Sequence, residues 1–166
     1  MIFKRLAQAL ALLAAMPHGS LHATPVFDDA VPAWAKSRPL KLDPARFRPV
    51  SILPMAVRNK GCTFYEHRNG GGEAWRKTVS WLAYSNSSTD TYAQYVTTVG
   101  SWWNDRISSI RCDESASVRC SAEVWRDVNR GGGDAIFWGS QGMVNLDKYG
   151  WNDIVSSYMV FCDRLK

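Results

Sequence analysis

Trp103-Asn104-Asp105-Arg106-Ile107-Ser108-Ser109 recurs as Trp151-Asn152-Asp153-Ile154-Val155-Ser156-Ser157, with five of seven positions identical. An internal repeat of this kind marks duplicated supersecondary units. Its side chains are oxygen-rich: an amide, a carboxylate and two hydroxyls, the donor set that a hard cation such as Ca²⁺ prefers. The competing reading is purely local, with Asn-Asp and Ser-Ser capping a turn through bonds to the backbone.

Outward from the repeat, the chain from Gly61 reads as short β-prone runs broken by glycine turns, with no sustained 3.6-residue apolar period. Cys62–His67 forms a strand, Asn69-Gly70-Gly71-Gly72 a hairpin turn, and Glu73–Leu82 a second strand with Trp75 and Trp81 as core candidates. Ser85–Asp90 is a polar loop, Thr91–Val99 is β-prone, and Ile107–Cys112 closes the unit. The order then repeats: a strand over Val118–Val128, a turn at Asn129–Gly133, a strand over Ala135–Gly139, the stretch Gln141–Tyr149, and a closing strand Val155–Phe161. This fits two Greek keys, about 60–113 and about 118–164, in an all-β sandwich. Tyr65 to Asn104 spans 39 residues and Trp125 to Asn152 spans 27, so the first unit carries 12 extra residues, expected around Tyr84–Tyr95.

Four cysteines leave three possible connectivities. Cys62 precedes Tyr65 by three residues and Cys112 follows Ser109 by three; Cys120 precedes Trp125 by five and Cys162 follows Ser157 by five. In a Greek key the fourth strand returns antiparallel beside the first. Equal offsets within each unit therefore favour Cys62–Cys112 and Cys120–Cys162. An even cysteine count without metal-finger or CxxC spacing points to an oxidising compartment.

The N-terminus agrees with that compartment. Lys4-Arg5 precede an apolar run from Leu6 to Met16, and Leu21-His22-Ala23 offers a small-residue cut site. Residues 1–23 read as a signal peptide, too short in its apolar part to span a bilayer. Residues 24–58 hold six of the seven prolines and form an extended segment that drapes over the domain at 59–166 or links it elsewhere, with Trp34 and Phe47 as anchors. The expected location is secreted or periplasmic, with no membrane span after leader cleavage.

The formal net charge of +5 falls to about +3 once Lys4 and Arg5 leave with the leader. Arg106, Arg111, Arg119, Arg126 and Arg130 form no single run, so nucleic acid is not an expected partner. After cleavage His67 is the sole histidine, and no nucleophile–base pairing can be built around it. The chain reads as a non-enzyme.

From about Gly61 onward the chain resembles the βγ-crystallin superfamily, in particular its microbial secreted branch and the metalloproteinase-inhibitor-like members. Tyr65 through Gly72 looks like that family's aromatic-to-glycine signature, and Trp125 through Gly132 matches at the same spacing. The Asn-Asp-x-x-Ser-Ser segments look like its calcium motif. The second aromatic that often precedes the key glycine is missing, replaced by Gly70 and Arg130.

The resemblance implies a β-sandwich of two Greek keys and Ca²⁺ sites shared between them. The implied ligands are the carbonyl of Arg106 or Ile154, the hydroxyl of Ser108 or Ser156, and the carboxylate of Asp105 or Asp153. Further carbonyls would come from the opposite unit's first hairpin, while Asn104 and Asn152 hold the turns. With about one carboxylate per site, affinity is expected near 10⁻⁵ to 10⁻³ M. A secreted, disulfide-stapled, Ca²⁺-binding module is the leading expectation. One alternative is a proteinaceous inhibitor of a secreted metalloproteinase presenting the loop Ser85–Asp90; a second is an envelope- or glycan-binding module using Trp102, Trp103 and Trp138.

Overall fold

The computed structural model describes residues 42–166. The signal peptide, the segment 24–41 and the anchor Trp34 lie outside the described residues.

The strands are β1 (Arg48–Pro49), β2 (Gly61–Tyr65), β3 (Ala74–Thr78), β4 (Trp81–Ser85), β5 (Thr89–Val96), β6 (Ser109–Cys112), β7 (Val118–Trp125), β8 (Asp134–Trp138), β9 (Met143–Asn145) and β10 (Ser157–Leu165). A single helical turn, α1 (Gly100–Trp103), leads into the first repeat. They form a six-stranded sheet, β1-β4-β5-β10-β7-β8, and a four-stranded sheet, β3-β2-β6-β9. Every described strand pairing is antiparallel.

Each unit is a Greek key whose fourth strand lies beside its first: β6 on β2, and β10 on β7. The third strands change sides. β5 of the first unit pairs with β10 of the second, and β9 of the second pairs with β6 of the first. Neither sheet is therefore complete without a strand from the other unit. The fold is a two-Greek-key β-sandwich with exchanged third strands.

The alternation along the strands builds the core. Cys62 and Phe64 on β2, Cys120, Ala122 and Val124 on β7, and Tyr158, Val160 and Cys162 on β10 are all fully buried between the sheets. Burying a side chain such as Phe64 contributes about 1.5–3 kcal/mol. Trp75 stacks on Trp103 at 5.3 Å between ring centroids and meets Tyr158 edge-on at the same distance. Trp103 and Trp151, which open the two repeats, are both buried in this core. The disulfides Cys62–Cys112 and Cys120–Cys162 close within it, each joining directly opposed residues of a unit's first and fourth strands.

The extra residues of the first unit are ordered as a strand. The expected strand Glu73–Leu82 is in fact two: β3 ends at Thr78, Val79 is buried, and the chain crosses to the other sheet as β4. β4 and β5 then form a hairpin at the outer edge of the six-stranded sheet, joined by Asn86–Ser88. The expected polar loop Ser85–Asp90 is thus a tight turn. Asn86 holds it, its side-chain oxygen accepting from the Ser88 and Thr89 amides at 2.9 and 2.7 Å. Trp81, expected in the core, is 42% exposed at the start of β4, and Leu82 rather than Trp81 packs on the main core.

Residues 42–58 run along this elaborated side. Leu42 and Phe47 join a second apolar cluster on the outer face of the six-stranded sheet, with Trp125, Trp138, Met159 and Phe161. β1 pairs with β4, and Val57 then enters the main core at 0% exposure.

Candidate metal centre

The folded hairpins that follow β2 and β7 are near copies. Asn69 and Asn129 adopt left-handed backbone at φ 57° and 55°, and Gly72 and Gly132 do so at 70° and 71°. A side chain at either glycine would be strained in that region. A Cβ at Gly72 would also lie 2.9 Å from His67 Cδ2 and 3.0 Å from Glu66 Cβ.

The second serine of each repeat fastens its hairpin. Ser109 Oγ donates to the His67 carbonyl at 2.6 Å and accepts from the Gly70 amide at 3.1 Å. Ser157 Oγ does the same for Asp127 and Arg130, at 2.7 and 3.2 Å. Both serines are fully buried. Hydroxyl bonds thus hold both hairpin corners, at Gly70 and at Arg130. The sequence marked Ser109 and Ser157 as repeated but assigned them no separate task; their signal was the double Ser itself.

The first serine of each repeat faces the turn. Backbone bonds set Ser108 and Ser156 beside β2 and β7, their amides donating to the Tyr65 and Trp125 carbonyls at 2.9 Å each. The repeated aspartates, Asp105 and Asp153, are exposed and left-handed at φ 56° and 53°. The preceding asparagines hold their carboxylates: Asn104 Nδ2 donates to Asp105 at 2.7 Å and Asn152 Nδ2 to Asp153 at 2.6 Å.

One contact links the two units. Ser108 Oγ donates to Asp153 Oδ1 at 2.9 Å, and the Asp153 amide donates to the Ile107 carbonyl at 3.2 Å. The first repeat's hydroxyl thus meets the second repeat's carboxylate. The carbonyls of Arg106 and Ile154 accept no hydrogen bond from any described residue.

These donors fit a hard cation: one carboxylate, one hydroxyl and uncommitted backbone carbonyls at each turn. Among the described residues no three His, Cys, Asp or Glu side chains are grouped so as to hold a metal. A site here would therefore draw mostly on neutral oxygens.

Charges around the first turn are tied up locally. Arg106 is ion-paired with Glu66 and lies over the Trp102 ring at 3.9 Å. Its hydrogen bond, with that from the Glu73 amide, holds the Glu66 carboxyl below its ordinary value. In the second unit Arg126 lies over Trp151 at 5.0 Å and reaches the Gly150 carbonyl at 3.5 Å. Of the three tryptophans considered for stacking, Trp103 and Trp138 are buried, and only Trp102 is exposed.

Solved structures of similar architecture are βγ-crystallin domains. One, described as "Evolution of the eye lens beta-gamma-crystallin domain fold", shares 23% identity over 67% of this chain and 91% of its own, with a TM-score of 0.46. An archaeal βγ-crystallin shares 20% identity over 64% of this chain and 98% of its own, at 0.41. A βγ-crystallin domain from Flavobacterium johnsoniae shares 23% over 60% of this chain and 91% of its own, at 0.40. No family model matches the chain, and no curated protein matches it.

Proposed function

We propose that the protein is an exported, non-enzymatic βγ-crystallin-like module that binds Ca²⁺ at its paired turns and is stabilised by it. The carrying observation is the Ser108–Asp153 contact, which joins a hydroxyl of one Greek key to a carboxylate of the other. An ion held there would tie the two units together. Asp105, Arg106, Ser108, Asp153, Ile154 and Ser156 are the proposed ligand-bearing residues, the Arg and Ile through their carbonyls alone. A ligand bound only by the native state raises stability by mass action. Both disulfides and an even cysteine count suit a secreted or periplasmic location. Among the described residues no helix is long and apolar enough to cross a membrane.

The other two readings draw no specific support. The turn Asn86–Ser88, candidate for a reactive loop, is held down by Lys166, whose ammonium donates to the Asn86 carbonyl at 2.7 Å. The exposed Trp102 has a ring face covered by Arg106. A stoichiometric inhibition assay against a panel of secreted metalloproteinases tests the first, and its success would displace the stability-module reading. The test of the proposal itself is thermal unfolding in Ca²⁺ and in chelator. Ca²⁺ should raise the melting temperature, and Asp105→Ala with Asp153→Ala should remove the rise. Identical curves, with no metal retained by the native protein, would refute it.

A further inference from the structure

We infer that the paired turns hold one Ca²⁺ rather than two, in the half built from Ser108 and Asp153, because only that half brings a hydroxyl and a carboxylate together. This rests on the calcium reading above.

The backbone makes the two halves comparable residue by residue. Each half has a serine whose amide bonds a strand-end carbonyl: Ser108 on Tyr65, and Ser156 on Trp125. Glu66 and Arg126 follow those carbonyls and so occupy matching positions. The carboxylate that meets Ser108 is Asp153; the symmetry of the repeat makes Asp105 the counterpart for Ser156. Ile154 follows the first and Arg106 the second.

The contents differ in geometry and in charge. In the first half the hydroxyl and carboxylate are already together at 2.9 Å. Each carboxylate is held by its preceding asparagine, Asp153 by Asn152 and Asp105 by Asn104, but in the second half no described residue bonds the Ser156 hydroxyl. The first half's segments carry Asp153, Glu66 and the neutral Ile154; the second half's carry Asp105 with two guanidinium groups, Arg106 and Arg126. Glu66 and Arg106 are paired with each other. That leaves Asp153 as the unpaired charge of the first half, while Arg126, which has no acidic partner among the described residues, adds a positive charge to the segment that follows the Trp125 carbonyl. Ligand charge count sets the strength of a Ca²⁺ site, and a nearby cation opposes it. The second half is left without a gathered donor pair and with an added cation on its strand-end segment.

The test is calorimetric titration of Ca²⁺ into the full, oxidised, metal-stripped chain, with circular dichroism confirming that each variant is folded. The wild type should bind one equivalent. Asp153→Asn, which keeps a residue that tolerates the left-handed backbone, should abolish binding. Two equivalents in the wild type, or one equivalent retained by Asp153→Asn, would overturn the inequivalence alone. No binding by the wild type would instead overturn the calcium reading beneath it.

Discussion

The two serines of each repeat are adjacent in sequence and should respond to the same substitution with losses of very different size. Ser109→Ala removes a fully buried hydroxyl that joins the His67 carbonyl to the Gly70 amide. Leaving a buried polar group unpaired costs about 1–3 kcal/mol, and these two, only partly buried, fall in the lower half of that range, so together they give a loss of roughly 2–4 kcal/mol. Ser108→Ala removes a hydroxyl whose partner, Asp153, is exposed and can turn to water. That loss should stay below about 1 kcal/mol in chelator, within the usual net value of one hydrogen bond. Urea unfolding with the disulfides intact separates the two. With a slope of about 1.5 kcal/mol/M, Ser109→Ala should lower the midpoint by roughly 1.3–2.7 M. Ser108→Ala should move it by less than about 0.7 M in chelator, yet forfeit the gain from added Ca²⁺. Equal midpoints for the two variants in chelator would refute this division between a fastening serine and a ligand serine.

Three further outcomes follow from the fold. Gly72→Ala and Gly132→Ala, at φ 70° and 71°, should each cost about 1–2 kcal/mol, read as a drop of roughly 4–8 °C in thermal unfolding. Replacing Cys120 and Cys162 together by Ser reopens a loop between residues separated by 42 positions, and by chain entropy should cost about 4 kcal/mol in denaturant unfolding. The third concerns acid. Burial raises the Asp90 carboxyl, but hydrogen bonds from Lys166, Ser85 and Arg164 outweigh it and hold it below its ordinary value of 3.8. Its contribution is therefore complete above that value and lost as the pH falls through the lower, folded value. Asp90→Asn should destabilise the β4–β5 hairpin at neutral pH and lose part of the steep acid limb of the stability curve, measured by urea midpoints from pH 2 to 7.

What the sequence disclosed and what it hid divide along the range of the interactions. The Trp-Asn-Asp repeat, the glycine turns and the cysteine offsets are local or symmetric signals. They led to the strand order, the left-handed positions Gly72 and Gly132, and the disulfide pairing now seen in the fold. The crossing at Val79 was illegible because Arg76 through Leu82 contains no Gly, Pro, Asn or Asp and centres on the β-prone Thr78, Val79 and Trp81. Packing of Val79 between the sheets ends one strand and starts another, and propensity does not encode it. The same holds for Trp81, whose apolar character suggested burial that its place at the start of the added strand β4 denies it. The exchange of β5 and β9, and with it the meeting of Ser108 with Asp153, arises only from the pairing of the two units. Nothing in either repeat alone announces its partner.

The central claim is that Ca²⁺ is a structural ligand of the native fold, and thermal unfolding of the full oxidised chain tests it most directly. At a hundredfold excess over Kd, one site contributes about 2.7 kcal/mol, which corresponds to a rise of roughly 10 °C in melting temperature. Asp153→Asn should abolish that rise while leaving the melting temperature in chelator within a few degrees of wild type. Superimposable wild-type transitions in millimolar Ca²⁺ and in chelator would contradict the account, and the paired turns would then be structural caps alone.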